Sequence, residues 1–329
     1  MREKKLISIV IPVFNEESNI MECYETLIEH CANHDKKYDF KFIFMDNHST
    51  DQSFSILKKL TIKDPHVKVF RFSRNFGYQA SIYTGYINAE GDAAIQFDCD
   101  LQDPVEKITD FLSKWEEGYK VVYGIRVQRK ENIIITGIRL IFYRFISFIS
   151  QNPLPLDAGD FRLIDRCIID EMSKIYDSRP YIRGLSSSLG FKQIGIEYVR
   201  NERKKGESKF GFINMFSLAW DGIANHSILP LRLASFTGLL IGLATIFFGL
   251  VYTVAKFNFG KDWPGGFVTL VLLLLFSIFL NSIFLGIIGE YLGRIYTQVK
   301  KLPITIIEDS VTSSTDENFE EKMNKQFYV

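Results

Sequence analysis

Asp98 and Asp100 stand two residues apart just after Ala93-Ala94-Ile95-Gln96, an apolar stretch that reads as a short buried strand. Carboxylates at i and i+2 converge where a chain bends. A converging pair offers hard oxygen ligands to a divalent cation, Mg²⁺ or Mn²⁺, that shares its coordination with a phosphate. Asp-x-Asp by itself is a short motif that also occurs in solvated acidic turns. Here it continues as Leu101-Gln102-Asp103-Pro104, with Asp103 expected to cap the next helix and Pro104 to sit in its first turn.

Other chemistry-bearing residues fall at comparable places. Glu16 and Asp46 each follow an apolar run of strand length. Strand-end carboxylates are often helix caps, the role expected of Asp51. Arg126 follows the strand-like Tyr119–Gly124 run, where a planar guanidinium fork could meet a diphosphate or an acceptor phosphate. Arg126, Arg129 and Lys130 form a basic cluster, and Arg200 to Lys209 a second one. Such clusters are commonly solvated faces, and Arg74 reads equally as a phosphate contact or a solvated loop charge. Asp157 and Asp160 lie in Asp-Ala-Gly-Asp-Phe-Arg-Leu.

The elements that must hold these residues alternate. Leu6–Val13, Phe40–Met45, Val67–Phe72 and Ala93–Gln96 read as strands. Asn19–Cys31, Asp51–Lys63 and Tyr78–Ala89 read as helices between them. Alternation of this kind predicts an α/β domain with a mainly parallel sheet and right-handed crossovers. Ligands of such sheets bind beyond the carboxyl ends of the strands, which is where Glu16, Asp46, Asp98 and Asp100 fall. Neither a Gly-x-Gly-x-x-Gly after the first strand nor a Gly-Lys-Ser/Thr loop is present, which disfavours dinucleotide and P-loop readings. The 329 residues carry no formal net charge, so no nucleic-acid partner is expected. The four cysteines lack metal-type spacing and read as free thiols. The N-terminal apolar run ends at Pro12, too early for a secretory signal.

After residue 210 the composition changes. Gly211–Asn225 carries an apolar face at helical spacing and reads as an amphipathic helix lying at an interface, residues 211–230 in all. Glu131–Gln151 is apolar but holds Arg139 and Arg144, which favours a surface-lying helix over a span, with a plain core helix as the alternative. Leu233–Ala255 and Phe267–Ile288 are each long enough to cross a bilayer at about 20 residues, giving a two-helix hairpin within 231–293. Arg232, Arg294, Lys300 and Lys301 flank the hairpin, so both ends are expected on the cytoplasmic side of the cell membrane. Gly238, Gly242, Gly286, Gly289 and Gly293 permit close helix contact and self-association through the spans. Residues 294–329 are expected to form a cytoplasmic tail, loose and acid-rich from Glu308.

Several segments resemble those of family 2 glycosyltransferases that act on polyprenyl phosphates, such as bactoprenol glucosyltransferases and dolichol-phosphate-mannose synthases. They are Asp98–Pro104, Pro12-Val-Phe-Asn-Glu16, Met45–Asp51, Phe72–Gly77, Gly159-Asp-Phe-Arg-Leu163, Arg179–Gly184 and Arg203–Lys209. The resemblance implies a GT-A-type nucleotide-binding domain over residues 1–210, followed by membrane helices. By the same resemblance Pro12, Asn15, Glu16, Asp46, Asn47 and Asp98 hold the nucleotide sugar, and Asp100, Gln102 and Asp98 the metal. Arg126, Arg183, Arg203, Ser208 and Lys209 meet the acceptor phosphate, and Asp160, with Asp157 beside it, is catalytic. Asn47 and His48 depart from the Asp-Gly of the family segment, and Ser188 from its Trp. A polyprenyl phosphate is already largely dianionic at neutral pH, so Asp160 is expected to orient the acceptor or a basic side chain rather than to remove a proton. The implied reaction moves glucose or N-acetylglucosamine, with inversion, from a UDP-sugar to undecaprenyl phosphate on the cytoplasmic leaflet. The alternatives are a processive polysaccharide synthase, for which two spans are few, and a non-catalytic anchor that keeps the fold.

Overall fold

The computed structural model describes residues 4–127, 158–178, 180–201, 229–259 and 266–312. They form two compact units. One takes the described residues of Met1–Arg144, Asn152–Lys209 and Lys301–Val329, the other those of Phe210–Lys300.

In the first unit the elements follow one another as β1 (Lys5–Val13), α1 (Ile20–Ala32), β2 (Tyr38–Asp46), α2 (Ser53–Lys63), β3 (Val67–Phe72), α3 (Tyr78–Ile87), β4 (Ala93–Gln96), α4 (Lys107–Glu116), β5 (Val121–Val127), β6 (Ala158–Asp165), α5 (Arg166–Lys174), α6 (Ile182–Ser188), β7 (Gln193–Val199) and β8 (Ile307–Val311). The strands make one sheet in the order β7-β5-β6-β4-β1-β2-β3-β8. The central strands β3, β2, β1 and β4 run parallel, and β5 pairs with β7 in parallel. β6 is antiparallel to both β4 and β5, and β8 is antiparallel to β3.

The continuous apolar character of β1 and β2 follows from cover on both faces. Successive side chains of a strand point to opposite sides. Ile7, Ile9, Ile11, Phe42 and Phe44 accordingly join a core with Leu27 of α1, Leu57 of α2 and Phe111 of α4. Val10, Ile43 and Met45 join the opposite core with Ile82 of α3, Ile169 of α5 and Leu185 of α6. At Gly85 a Cβ would fall 2.2 Å from Val10 Cγ1, so α3 lies on the sheet only because that position has no side chain.

Two expectations change. Helix α4 begins at Lys107, with Glu106 at its cap position. Asp103 and Pro104 therefore belong to the preceding turn, and Asp103 is buried rather than capping. The segment expected to begin a loose tail instead completes the sheet. Ile304 and Ile307 pack on one core and Val311 on the other, while Asp309 meets Lys58 Nζ at 3.0 Å. Charge on an edge strand is compatible with pairing, because its outer face stays in water.

In the second unit, α7 (Leu229–Phe259) and α8 (Phe267–Val299) are 31 and 33 residues long. They contact one another. At about 1.5 Å per residue each exceeds the roughly 30 Å of a bilayer's hydrocarbon. Ala234–Val251 and Leu273–Val299 are long and apolar enough to cross a membrane, and large side chains such as Phe247, Phe248, Leu274 and Phe279 are exposed on them. Glu290 accepts a hydrogen bond from Arg294 Nη2 at 2.7 Å, one turn on. The proposed surface helices, Glu131–Gln151 and Gly211–Asn225, lie outside the described residues.

Candidate active site

The sheet register brings the two acidic motifs together. Gln96 of β4 pairs with Arg162 of the antiparallel β6. β4 and β6 therefore carry Asp98, two residues past Gln96, and Asp160, two residues before Arg162, toward the same end of the sheet. After Phe97, whose N–H reaches Val10 O at 2.9 Å, the chain leaves the sheet. It turns at Leu101, which adopts a left-handed backbone with φ 54°. The turn is tied by Gln102 N–H donating to Asp100 Oδ1 at 3.2 Å. Asp98 Oδ1 accepts from Tyr78 Oη at 2.5 Å and from Gln96 Nε2 at 2.7 Å. Burial, then the charge of Asp103, push the Asp98 carboxyl above the usual carboxylate range, against the hydrogen bond from Tyr78.

Arg200 stands over this cluster. Its Nη2 lies 3.7 Å from Asp98 Oδ2 and 4.0 Å from Asp100 Oδ2, and its Nε lies 3.4 Å from Asp103 Oδ1. Asp103 Oδ1 accepts the Tyr198 hydroxyl at 2.6 Å, and that hydroxyl accepts from Arg126 Nε at 3.0 Å. Asp103 Oδ2 is buried without a hydrogen bond, 3.7 Å from Arg126 Nη2. The parallel pairing of β5 and β7 sets Arg126 beside Tyr198. At Gly124 a Cβ would lie 2.4 Å from the Tyr198 ring, so the glycine gives that ring its room. Gln102 Nε2 donates to Asn201 O at 3.4 Å, and Asn201 N–H donates back to Gln102 O at 2.9 Å.

Asp160 is gripped by Arg183 through two parallel bonds, Nε to Oδ1 at 2.9 Å and Nη2 to Oδ2 at 2.8 Å. Burial alone would raise its pKa. The charges of Arg183 and Arg162 and the Gln79 side chain overcome this and hold it at about 2. Arg162 is itself buried, donating to Ser186 Oγ at 2.7 Å and Gly159 O at 2.8 Å. An acid in this state is a fixed anion that orients an arginine, and it has little capacity to take up a proton at neutral pH.

The third part of the site lies at the ends of β1 and β2. Asn15, left-handed with φ 56°, accepts from Thr50 N–H at 2.8 Å and donates its own N–H to Ser49 Oγ at 3.0 Å. Glu16 accepts from Asn19 Nδ2 at 2.5 Å. Asp46 is fully buried; its Oδ1 takes the Ser49 N–H at 3.1 Å, while Oδ2 has no hydrogen bond and lies 3.7 Å from Arg71 Nη1. Burial raises the Asp46 pKa, with Ser49, Arg71 and His48 opposing. Pro12 is buried within β1, opposite Met45. Asn47 spends both ends of its amide on the next loop, donating to Asn75 Oδ1 at 2.9 Å and accepting from Phe76 N–H at 2.8 Å. His48 takes the left-handed backbone, φ 61°, and its Nδ1 lies 2.9 Å from Phe72 O. The two departures from the family pattern thus build the loop. Asp51 accepts from Ser53 N–H at 2.9 Å from one residue before the cap position of α2, which Gln52 occupies, so the expected capping role is not taken by Asp51. Arg74 is exposed and stacks 4.0 Å over Phe76. Asp157, Arg203, Ser208, Lys209, Arg129 and Lys130 lie outside the described residues.

A divalent cation suits this donor set. Asp98 and Asp100 supply hard oxygens close enough for one guanidinium nitrogen to stand within 4.0 Å of both, and a buried Asp103 oxygen beside them lacks a hydrogen bond. Among the described residues no group of three or more His, Cys, Asp or Glu side chains is gathered for a metal. A Mg²⁺-type ion takes one or two carboxylates and fills its sphere with water and substrate phosphate. Reading the sequence missed Tyr78, Asp103, Tyr198 and Arg200. Asp103 lies inside the acidic motif, whereas the other three reach it only through strand pairing and helix packing, which leave no local signal.

A strand-end acidic pair and a carboxylate–arginine pair thus lie at one end of a mostly parallel α/β sheet. The glycosyl transferase family 2 model matches residues 8–173, and the chain belongs to that family. It is 41% identical over 304 residues to the uncharacterized glycosyltransferase YkcC of Bacillus subtilis, covering 92% of this chain and 93% of that one. It is 34% identical to the glycosyltransferase CsbB of the same organism, described as putative, over 94% of each chain. It is likewise 34% identical to the SfII prophage-derived bactoprenol glucosyl transferase of Shigella flexneri, over 92% of this chain and 98% of that one.

Proposed function

We propose that this glycosyltransferase moves a hexose, glucose or N-acetylglucosamine, from a UDP-sugar to undecaprenyl phosphate at the cytoplasmic face of the cell membrane. The product is a lipid-linked sugar of inverted configuration, a donor for cell-surface glycan such as O-antigen or teichoic acid. The observation that carries the reading is that β4 and the antiparallel β6 bring the Asp98/Asp100 pair and the Asp160–Arg183 pair to one end of the sheet. Similarity to a bactoprenol glucosyl transferase over nearly the full length of both chains supports the lipid acceptor. The two long apolar helices support a membrane site for it.

In this reading Asp46, with an oxygen free of protein hydrogen bonds, accepts from the nucleoside base, and Asn15 and Glu16 shape the floor of the nucleotide pocket. Asp98, Asp100 and Gln102 hold Mg²⁺ or Mn²⁺, which when bound neutralises charge on the leaving diphosphate. Arg183, aimed by Asp160, and Arg126 bind the acceptor phosphate, with Arg203, Ser208 and Lys209 contributing from the loop beyond Asn201. An oxygen of the phosphate dianion attacks the anomeric carbon, and the bond from that carbon to the diphosphate oxygen breaks. No proton need be removed, so positioning supplies much of the acceleration. The Asp46 oxygen, buried and without a hydrogen bond, supports catalysis over the anchor reading, because it is an acceptor left open to a ligand.

Purified protein in detergent, offered undecaprenyl phosphate and a panel of radiolabelled nucleotide sugars, tests this directly. Lipid-extractable label is expected from one UDP-sugar, to be lost with chelator, and to fall at least about 10²-fold in Asp100→Ala. Absence of label from every donor, together with absence of nucleotide binding, would leave the anchor reading standing.

A further inference from the structure

Arg200 stands three residues before the Arg203–Lys209 segment and belongs to none of the motifs that carry the family resemblance. Its guanidinium nevertheless lies against the acidic turn, 3.4–4.0 Å from carboxylate oxygens of Asp98, Asp100 and Asp103. The manner of contact is informative. Arg183 grips the Asp160 carboxylate through two short bonds at 2.9 and 2.8 Å. Arg200 instead spreads over three, and its buried Nε makes no hydrogen bond. A cation shared at such distances compensates charge without being locked by directional bonds.

We propose that Arg200 is a resident counter-ion. It offsets part of the negative charge of Asp98, Asp100 and Asp103 while the donor is absent, and it gives up its place to the divalent cation when the nucleotide diphosphate arrives. This rests on the metal assignment of the preceding section. Three carboxylates gathered in a largely buried turn repel one another, and a cation placed among them lowers that repulsion in the empty protein. The two bonds between Gln102 and Asn201 tether the backbone beside Arg200 to the acidic turn. The displaced guanidinium therefore stays within the site, where the incoming diphosphate offers it oxygens. Two consequences follow. The empty protein binds a divalent cation weakly, because the ion competes with Arg200. Nucleotide and cation bind cooperatively, because the diphosphate gives Arg200 somewhere to go, and by linkage each tightens the other by the same factor.

The test is Mn²⁺ titration followed by electron paramagnetic resonance, on the full chain in detergent, with and without UDP, for wild type, Arg200→Gln and Arg200→Lys. Without UDP, Arg200→Gln is expected to bind Mn²⁺ about fivefold or more tighter than wild type, and Arg200→Lys to bind as weakly as wild type. UDP is expected to tighten Mn²⁺ binding to wild type by a larger factor than to Arg200→Gln. Equal or weaker Mn²⁺ binding by Arg200→Gln without UDP would overturn the proposal while leaving the metal assignment intact. So would Arg200→Lys binding as tightly as Arg200→Gln. Failure of all three proteins to take up Mn²⁺, with or without UDP, would remove the metal assignment and the proposal with it.

Discussion

A carboxylate held by both nitrogens of an arginine has its charge decided for it. Asp160 sits near 2 in the folded protein, against 3.8 for a free side chain, so it is ionised throughout the range in which the protein works. The acid limb of the pH–rate profile is then expected near 6, where the acceptor phosphate gains its second proton, and not where an aspartate titrates. Asp160→Asn should lower turnover at saturating substrates by about 10²-fold or more, by releasing Arg183, while leaving that limb in place. A limb that moves or vanishes in the variant would make Asp160 the proton acceptor, and near-full turnover would remove it from the site altogether. Stability follows the same pair with a definite sign. A folded-state pKa below the unfolded one contributes stability above about pH 4, and that contribution fades as pH falls toward 2. Its size is on the order of 2 kcal/mol. Thermal melts from pH 5 down to pH 2 should show wild type losing its advantage over Asp160→Asn.

Among the elements, β5 and β7 matter most to the site, because their parallel pairing carries Arg126, Tyr198 and Arg200 toward the acidic turn. Gly124 makes the pairing close enough. Gly124→Ala drives a methyl into the Tyr198 ring and should destabilise the protein by about 1–3 kcal/mol, as overpacking does. It should also raise the acceptor KM, since Arg126 loses the hydroxyl that aims it. Calorimetry and steady-state kinetics would check the two effects separately. These elements also mark where the sequence is legible and where it is not. Runs such as Ile7–Val13 and Phe40–Met45 announce strands because burial on both faces demands mostly apolar residues. Asp98 and Asp100 announce themselves because a strand end concentrates ligands. Asp103 reads as a cap from its neighbours alone, and only the arrival of Tyr198, 95 residues on, turns it inward. Ile307–Val311 reads as tail because its acids match Lys58 and Arg71, partners far away in the chain. The bidentate grip of Arg183 on Asp160 spans 23 residues and an intervening helix, yet the expectation that Asp160 orients a basic group came from the acceptor's own pKa.

For the whole molecule the governing features are the two apolar helices and the charges beside them. If both ends of the hairpin face the cytoplasm, a cysteine placed at Lys261 in the connector should react with a membrane-impermeant maleimide added to intact cells. One placed in the C-terminal segment, at Ser314, should react only after lysis. Cys23, Cys31 and Cys99 are buried and contribute little background, and Cys167, partly exposed, is removed by Cys167→Ser. Labelling of Ser314→Cys in intact cells would reverse the topology.

The pairing of Val69 with Val311 also sets an order of events during synthesis. The ribosome, adding about 5–20 residues per second, releases β3 early and both long helices before the first residue of β8. Throughout that interval β3 has an open edge, which is the kind of surface that recruits other strands. The catalytic sheet is therefore closed by the segment translated after the apolar helices. A ribosome stalled within α8 leaves a sheet with one side unpaired, a natural client for chaperones and for proteases that patrol the membrane surface.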